Sequence, residues 1–232
     1  MWARIAGLLW LLTIGLGLYG EAFVRERLIT HDAATTLSNI LANETSYRLG
    51  EAALFLGTAA YLALTAIMYR LLAPVSRTVS LIAAFFSVVG CVFWMFALVG
   101  DASPFVFFAN ARALSAPGAE TLQALAFGLL KLHSETLLLG MLCFGVHCLL
   151  MGCLVIRASF LPALIGAILA IGGVGYAAAG LLHVLSPALG AQFAEMLFIP
   201  GELGEASMGL WLALVGVNAA KWKTAAEQTA SV

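Results

Sequence analysis

The sequence predicts an all-α polytopic membrane protein, a single domain over residues 1–232 with six transmembrane helices that form three hairpins. Two observations of composition lead to this class. Of the 232 residues, 62% are hydrophobic and only 10% are charged, and the mean hydropathy is +1.02. Soluble globular domains typically contain about 25% charged and about 45 to 50% apolar residues. We therefore expect this chain to lie in a lipid bilayer.

A third observation is that six apolar stretches have the length of a membrane span. About 20 residues are needed, because a helix rises about 1.5 Å per residue across about 30 Å of hydrocarbon. The predicted spans lie near residues 5–24, 47–71, 78–99, 122–157, 160–185 and 202–220. The first follows Arg4 but lacks a signal-peptide cleavage pattern, so we expect it to be retained. The fourth is long enough to tilt or to project.

The three longer connections between these spans each contain a helix-start signal. The signals are Thr30 or Asp32 before an alanine-rich turn, then Ser103-Pro104, then Ser186-Pro187. They predict short interfacial helices in the outer loops.

The positions of Lys and Arg predict the orientation of the chain. With the N-terminus inside, six basic residues lie in compact segments at the inner helix ends, where the positive-inside rule applies best. These are Arg4, Arg70, Arg77, Arg157, Lys221 and Lys223, against Arg25, Arg27, Arg48, Arg112 and Lys131 outside. We expect a multi-pass protein of the cell (inner) membrane with both termini in the cytoplasm. The net charge of -1 lacks the basic surplus of a nucleic-acid-binding protein.

Glutamates between small residues recur where the inward-running helices begin. The strings are Gly50-Glu51-Ala52, Ser134-Glu135-Thr136 and Gly204-Glu205-Ala206. They favour three related hairpins, although drift among apolar residues produces similar strings. Small residues let helices approach closely in lipid, and ionisable groups within spans usually face the bundle interior or a water-filled cavity. The alternative is that these carboxylates lie at the wet interface, favoured by the helix dipoles.

The fourth predicted helix carries a polar stripe. His133, Thr136, Gly140, Cys143 and His147 fall within an arc of about 80°, while Lys131 and Glu135 project from nearly the opposite side. His133 and His147 would lie about 21 Å apart, too far to share one metal ion. A metal held by His133, His183 and an outer glutamate stays open, but neither metal nor haem is favoured. We expect His147 to be a buried imidazole bonded to a neighbouring helix.

Several motifs along the chain resemble an uncharacterised bacterial membrane-protein family, catalogued as domain of unknown function 4386. They are Ala3-Arg4-Ile5-Ala6-Gly7-Leu8-Leu9, Tyr69-Arg70-Leu71-Leu72, Pro74-Val75-Ser76-Arg77, Leu132-His133-Ser134, the run from Phe144 to Gly152, Phe160-Leu161-Pro162, Gly201-Glu202-Leu203-Gly204-Glu205 and Leu210-Trp211-Leu212. The resemblance implies a compact helical membrane protein with both ends in the cytoplasm. It implies no catalytic residues.

These observations favour a protein that binds or transports a cation, a proton or a small polar solute in an outward-facing pocket. We expect the pocket to be lined by Glu51, His133, Glu135, His183 and Glu205, with Arg48 three residues before Glu51. One alternative is a metal- or haem-dependent membrane enzyme or redox carrier that uses His133 and His183. Another is a structural or regulatory partner that packs against other membrane proteins through the glycine-rich face of the fifth helix.

Overall fold

Every regular element of the protein is helical in the computed structural model, which describes residues 1–230. The α-helices are α1 (Trp2–Leu18), α2 (Glu26–Leu28), α3 (Ala33–Ala42), α4 (Glu44–Leu72), α5 (Arg77–Asp101), α6 (Ser103–Phe107), α7 (Ala119–Arg157), α8 (Ala163–Leu185), α9 (Pro187–Leu214) and α10 (Ala219–Ala230). A π-helical segment, Tyr19–Arg25, joins α1 to α2, and a short 3-10 helix, Ala111–Ser115, precedes α7.

Five helical stretches are long and apolar enough to cross a membrane. They are Trp2–Leu28, Glu44–Leu72, Arg77–Phe107, Ala119–Arg157 and Ala163–Leu185. A sixth candidate is the pair Gln192–Leu214 and Ala219–Thr229, whose axes differ by 104°. The predicted class, an all-α polytopic membrane protein, is confirmed, and the predicted count of six spans is compatible with these stretches.

Two of the three predicted short helices are present as separate elements. Asp32 caps α3 by accepting a hydrogen bond from the Thr35 amide at 2.7 Å, as expected of an N-cap aspartate. Proline in the first turn of α6 fits the Ser103-Pro104 signal. The third prediction is wrong: Ser186-Pro187 does begin a helix, but α9 continues without a break to Leu214.

The last part of the chain also differs from the prediction of a span over residues 202–220. Helix α9 ends at Leu214 because Gly216 adopts a positive φ of 81°, and its amide donates to the Trp211 carbonyl at 3.0 Å. Glycine takes this left-handed conformation without steric cost and commonly terminates helices. The chain then turns into α10, which hydropathy does not predict.

Contacts along the chain divide it into two compact units. The first comprises Met1–Leu12, Ala60–Val92 and Leu138–Val232, and the second comprises Thr13–Ala59 and Phe93–Leu137. The second unit contains an apolar cluster in which Leu37 and Ile40 of α3 are fully buried with Leu130 of α7. This cluster fixes the short helix α3 against the spans that carry the candidate site.

In the first unit, α8 packs so closely on its neighbours that its glycines have no room for a side chain. A Cβ on Gly172 would lie 2.6 Å from the Cα of Gly201 in α9, and one on Gly180 would lie 2.7 Å from the Leu142 side chain of α7. Small residues permit such approach between helices in lipid. The glycine-rich face predicted to bind another protein is therefore occupied by the chain's own helices.

Candidate functional site

A group of ionisable side chains, three of them buried and the fourth partly exposed, lies in the second unit where three spans meet. Glu21 and Arg25 belong to the π-helical segment, Asp101 ends α5, and His133 lies in α7. The π-helical geometry is marked by the Glu26 amide, which bonds to the Glu21 carbonyl five residues earlier. Such segments are rare and often occur at functional sites. We call these four residues the ionic ring.

His133 connects the two carboxyl groups of the ionic ring. Its Nδ1 lies 2.5 Å from Asp101 Oδ2 and its Nε2 lies 2.8 Å from Glu21 Oε1. The His133 side chain is only 3% exposed. A neutral imidazole has one N–H, so both contacts can be hydrogen bonds only if one more proton is on the imidazole or on a carboxyl group. The arrangement of Glu21, His133 and Asp101 therefore accommodates one additional proton.

Arg25 closes the ring from the other side. One terminal nitrogen of its guanidinium donates to Asp101 Oδ1, and the other donates to the Leu130 carbonyl at 2.9 Å. Its Nε lies 3.7 Å from Glu21 Oε2. Asp101 is completely covered, so its carboxylate depends on Arg25 and His133 for compensation of its charge.

Two cavities adjoin the ionic ring within the second unit. Glu21 and His133 line a cavity of about 100 Å³ together with Thr13 and Thr58, which has room for a few water molecules. Asp101 and Glu51 line another, of about 540 Å³. The imidazole of His133 thus joins a carboxyl group at the first cavity to a carboxyl group at the second.

Glycines that directly precede acidic residues allow the helices to pack closely beside the ionic ring. A Cβ on Gly50 would lie 2.8 Å from the Val24 side chain, and one on Gly100 would collide with the Leu129 carbonyl. Gly100-Asp101 repeats the glycine-acid order of Gly20-Glu21 and Gly50-Glu51. The sequence-based prediction missed Asp101 and Arg25, and this repeated pair is the signal that identifies Asp101.

The predicted site residues of the second unit lie in different surroundings. His133 belongs to the ionic ring, and Glu51 is an electrostatic neighbour of Asp101, whereas Glu135 is exposed. Arg48 is also exposed, and its Nε donates to Glu44 at 2.7 Å instead of pairing with Glu51. Glu44, four residues before Arg48, offers the favoured order for a helical ion pair, and Arg48 still lines the cavity that Glu51 and Asp101 share.

Glu205 lies in the first unit and is held by neutral donors. Its Oε1 accepts from the Tyr61 hydroxyl at 2.8 Å and from Trp10 Nε1 at 3.2 Å, while Oε2 accepts from the Tyr176 hydroxyl at 3.2 Å. The Cys148 thiol is 3.9 Å from Oε1. Within residues 1–230, no Lys, Arg or His lies within ion-pair distance of this carboxyl group. Hydrogen bonds alone satisfy it.

The remaining histidines of the spans are buried in the first unit. His147 Nδ1 donates to the Ala83 carbonyl at 2.8 Å, which confirms the interpretation of an imidazole bonded to a neighbouring helix. His183 is 9% exposed and packs against Gly190. In the described part of the chain, no three His, Cys, Asp or Glu side chains are arranged to hold a metal ion. The metal site predicted at His133 and His183 stays a prediction, because the described residues do not provide these histidines with a complete set of ligands.

Comparison with known proteins places the chain in a family. A family model matches residues 5–216, which is most of the chain. The chain belongs to the family described as Domain of unknown function (DUF4386). The resemblance read from the sequence motifs is therefore confirmed, and this DUF4386 member is a multi-pass helical membrane protein. No curated protein and no solved structure matches it.

The ionic ring leads to a prediction about stability. Asp101→Asn should lower the free energy of unfolding by about 3 to 5 kcal/mol, because it removes the buried counter-charge of Arg25 and leaves its guanidinium only the longer contact with the partly exposed Glu21. Glu44→Gln, which breaks the exposed pair with Arg48, is the matched control and should cost less than about 1 kcal/mol. Thermal unfolding of the purified variants in detergent measures the difference. Equal losses in both variants would contradict the assigned role of Asp101.

The contacts of Glu205 lead to a second prediction. Glu205→Leu should cost about 1 to 3 kcal/mol for each buried donor left unsatisfied. Glu205→Gln should remain near wild type, because its amide oxygen still accepts from Trp10 and Tyr61 and its NH₂ donates to the Tyr176 hydroxyl. Glu202→Leu, at an exposed position one turn away, controls for the added apolar surface. A large loss in Glu205→Gln would show that the charge, and not the hydrogen bonding, is required.

Proposed function

We propose that this protein binds a proton at the ionic ring and transports it in exchange for a cation or a small polar solute. The observation that carries the proposal is the position of His133, whose two nitrogens contact the Glu21 and Asp101 carboxyl groups beside a cavity. Ionisable groups within membrane spans mark proton and ion pathways in many transporters. The proposal keeps the class of function predicted from the sequence and moves its centre to Glu21, Asp101 and Arg25.

The geometry supports proton transfer through the imidazole. A proton on the Glu21 carboxyl passes to Nε2 of His133, and the imidazole then releases its Nδ1 proton to Asp101. The imidazole ends as the opposite tautomer, so no net charge stays on it. Glu21 is 31% exposed and Asp101 is fully covered, so the transfer carries a proton from an accessible group to an enclosed one.

The charges of the ionic ring support exchange with a cation. With a neutral imidazole and both carboxylates ionised, Arg25 compensates one of two negative charges and leaves the ring at -1. The additional proton brings the ring to zero. A small cation in the cavity beside Glu21 would compensate the same charge, so proton and cation compete for it.

The two alternative functions receive less support. A metal- or haem-dependent enzyme or redox carrier needs an imidazole nitrogen that is open to the metal, and both nitrogens of His133 are engaged by carboxyl groups. A structural or regulatory partner that used the glycine-rich face of α8 would require a surface that α7 and α9 already cover.

We also propose that the protein lies in the cell (inner) membrane with both termini in the cytoplasm. The support is the group of six basic residues at the helix ends that this orientation places inside. Fusions at the C-terminus should make green fluorescent protein fluorescent and leave alkaline phosphatase inactive. Active phosphatase at the C-terminus would show that the orientation is the opposite of the proposed one. Fusions after Asn110, in the connection between α6 and α7, should give the opposite pattern.

Proton transport is tested with the purified full chain in liposomes that contain a trapped pH-sensitive dye. A potassium gradient with valinomycin drives proton entry in one arm, and gradients of sodium or methylammonium drive exchange in the other. Wild type should change the internal pH in at least one arm. His133→Gln should reduce the rate about tenfold or more, since glutamine cannot carry the additional proton.

His31→Gln is the matched control, because His31 is exposed in the connection before α3. It should transport as wild type does. Two results would refute the proposal: a wild-type rate equal to that of protein-free liposomes in both arms, or an unchanged rate in His133→Gln.

A further inference from the structure

A cavity of about 430 Å³ lies in the first unit, where the start of α1, the end of α4 and the start of α10 meet. Its walls are mainly apolar, with Trp2, Ile67 and Leu71 among them, and two cationic side chains, Arg70 and Lys223, also line it. An apolar cleft with cations along one side is complementary to an amphiphile that has an apolar tail and an anionic head group.

The cations at this cavity lack internal counter-charges. Within residues 1–230, neither Arg70 nor Lys223 has a carboxylate within ion-pair distance, and neither does Arg77. Arg77 lines an adjoining cavity of about 370 Å³ that Arg70 and Trp222 share. These three neighbouring cations form no ion pair within the described residues, and together they produce a local positive potential that attracts an anion.

Helix α10 is held in place at this cavity by two hydrogen bonds. Trp222 Nε1 donates to the Leu71 carbonyl at 2.9 Å, and the Thr229 hydroxyl donates to the Pro74 carbonyl at 2.9 Å. Both acceptors lie at or just beyond the end of α4. The anchoring keeps the start of α10 beside the end of α4, so Lys223 and Arg70 line the same cavity.

The direction of α10 indicates where the cavity lies with respect to a bilayer. The helix departs from the span-length segment Gln192–Leu214 at 104°, which is the course of a helix along the membrane surface. Its Lys221, Trp222 and Lys223 are typical of an interfacial helix, and the 61% exposed Trp2 suits the same level. We therefore infer that the cavity opens where lipid headgroups meet acyl chains.

We propose that this cavity binds one anionic phospholipid. Its phosphate contacts Arg70 and Lys223, and one acyl chain follows the apolar wall formed by Trp2, Ile67 and Leu71. Lipids with a choline headgroup bind less well, because their ammonium group is repelled by the same cations. The family match ends at residue 216, so the pocket combines family helices with a segment beyond the matched residues. This site is independent of the proposed proton transport.

The test is native mass spectrometry of the delipidated full chain in detergent with phosphatidylglycerol or phosphatidylcholine at equal concentrations. Wild type should retain one phosphatidylglycerol molecule and prefer it to phosphatidylcholine by roughly thirtyfold, as expected for two cations at a membrane surface. Arg70→Gln/Lys223→Gln should remove the preference. Arg112→Gln/Lys131→Gln removes the same charge from the second unit and should keep it.

Further experiments distinguish a lipid phosphate from a soluble one and check that the variants fold. Inorganic phosphate or glycerol phosphate alone should not raise the melting temperature as phosphatidylglycerol does, and an equal rise would identify a soluble anion as the ligand. The variants must melt like wild type without lipid, and Lys223→Gln alone, at an exposed position, serves if the double variant does not fold. Equal binding of both lipids by wild type, or an unchanged preference in the folded variant, overturns the proposal.

Discussion

The need to compensate the Asp101 carboxylate inside the protein governs the second unit. A charge that is fully covered within a membrane span is tolerated only with partners of opposite charge and good geometry. Arg25 supplies the opposite charge and His133 supplies a hydrogen bond, and each is positioned by a different feature of the helices. Arg25 and Glu21 share a face because they lie four residues apart in the π-helical segment, and Gly100 lets α5 approach α7 closely enough for His133 to reach Asp101.

The chain buries a second acidic group by a different solution. Glu205 is surrounded by two tyrosine hydroxyls, an indole N–H and a thiol, which donate hydrogen bonds and hold no full charge. Such a site fits a fixed structural carboxyl group, since none of its described hydrogen-bond partners is an imidazole that could pass a proton on. The ionic ring differs because its imidazole has carboxyl groups on both sides and open volume beside it.

Hydropathy was sufficient to predict the membrane class and most of the spans. The helix-start signals were sufficient to predict α3, which follows Asp32, and α6, which begins at Ser103. Both were insufficient for the site, because its composition depends on which helix faces cross. Glu51 and His133 were recognised as charges within spans. Arg25 was read as a loop cation, since a π-helical continuation of the first span has no clear hydropathic signature. Glu135 and Arg48 are exposed in the structure, because regular spacing does not reveal which face a neighbouring helix covers, and their part in a binding site stays a prediction.

The π-helical segment Tyr19–Arg25 has a consequence for comparisons among family members. A π-helix bonds residue i to residue i+5, so each hydrogen-bonded turn contains one residue more than a turn of the surrounding α-helix. Relatives whose alignment opens a one-residue gap between positions 19 and 25 would continue as a plain α-helix. Their counterparts of Glu21 would then be rotated away from α7, and we expect such relatives to have diverged in activity while retaining the same membrane architecture.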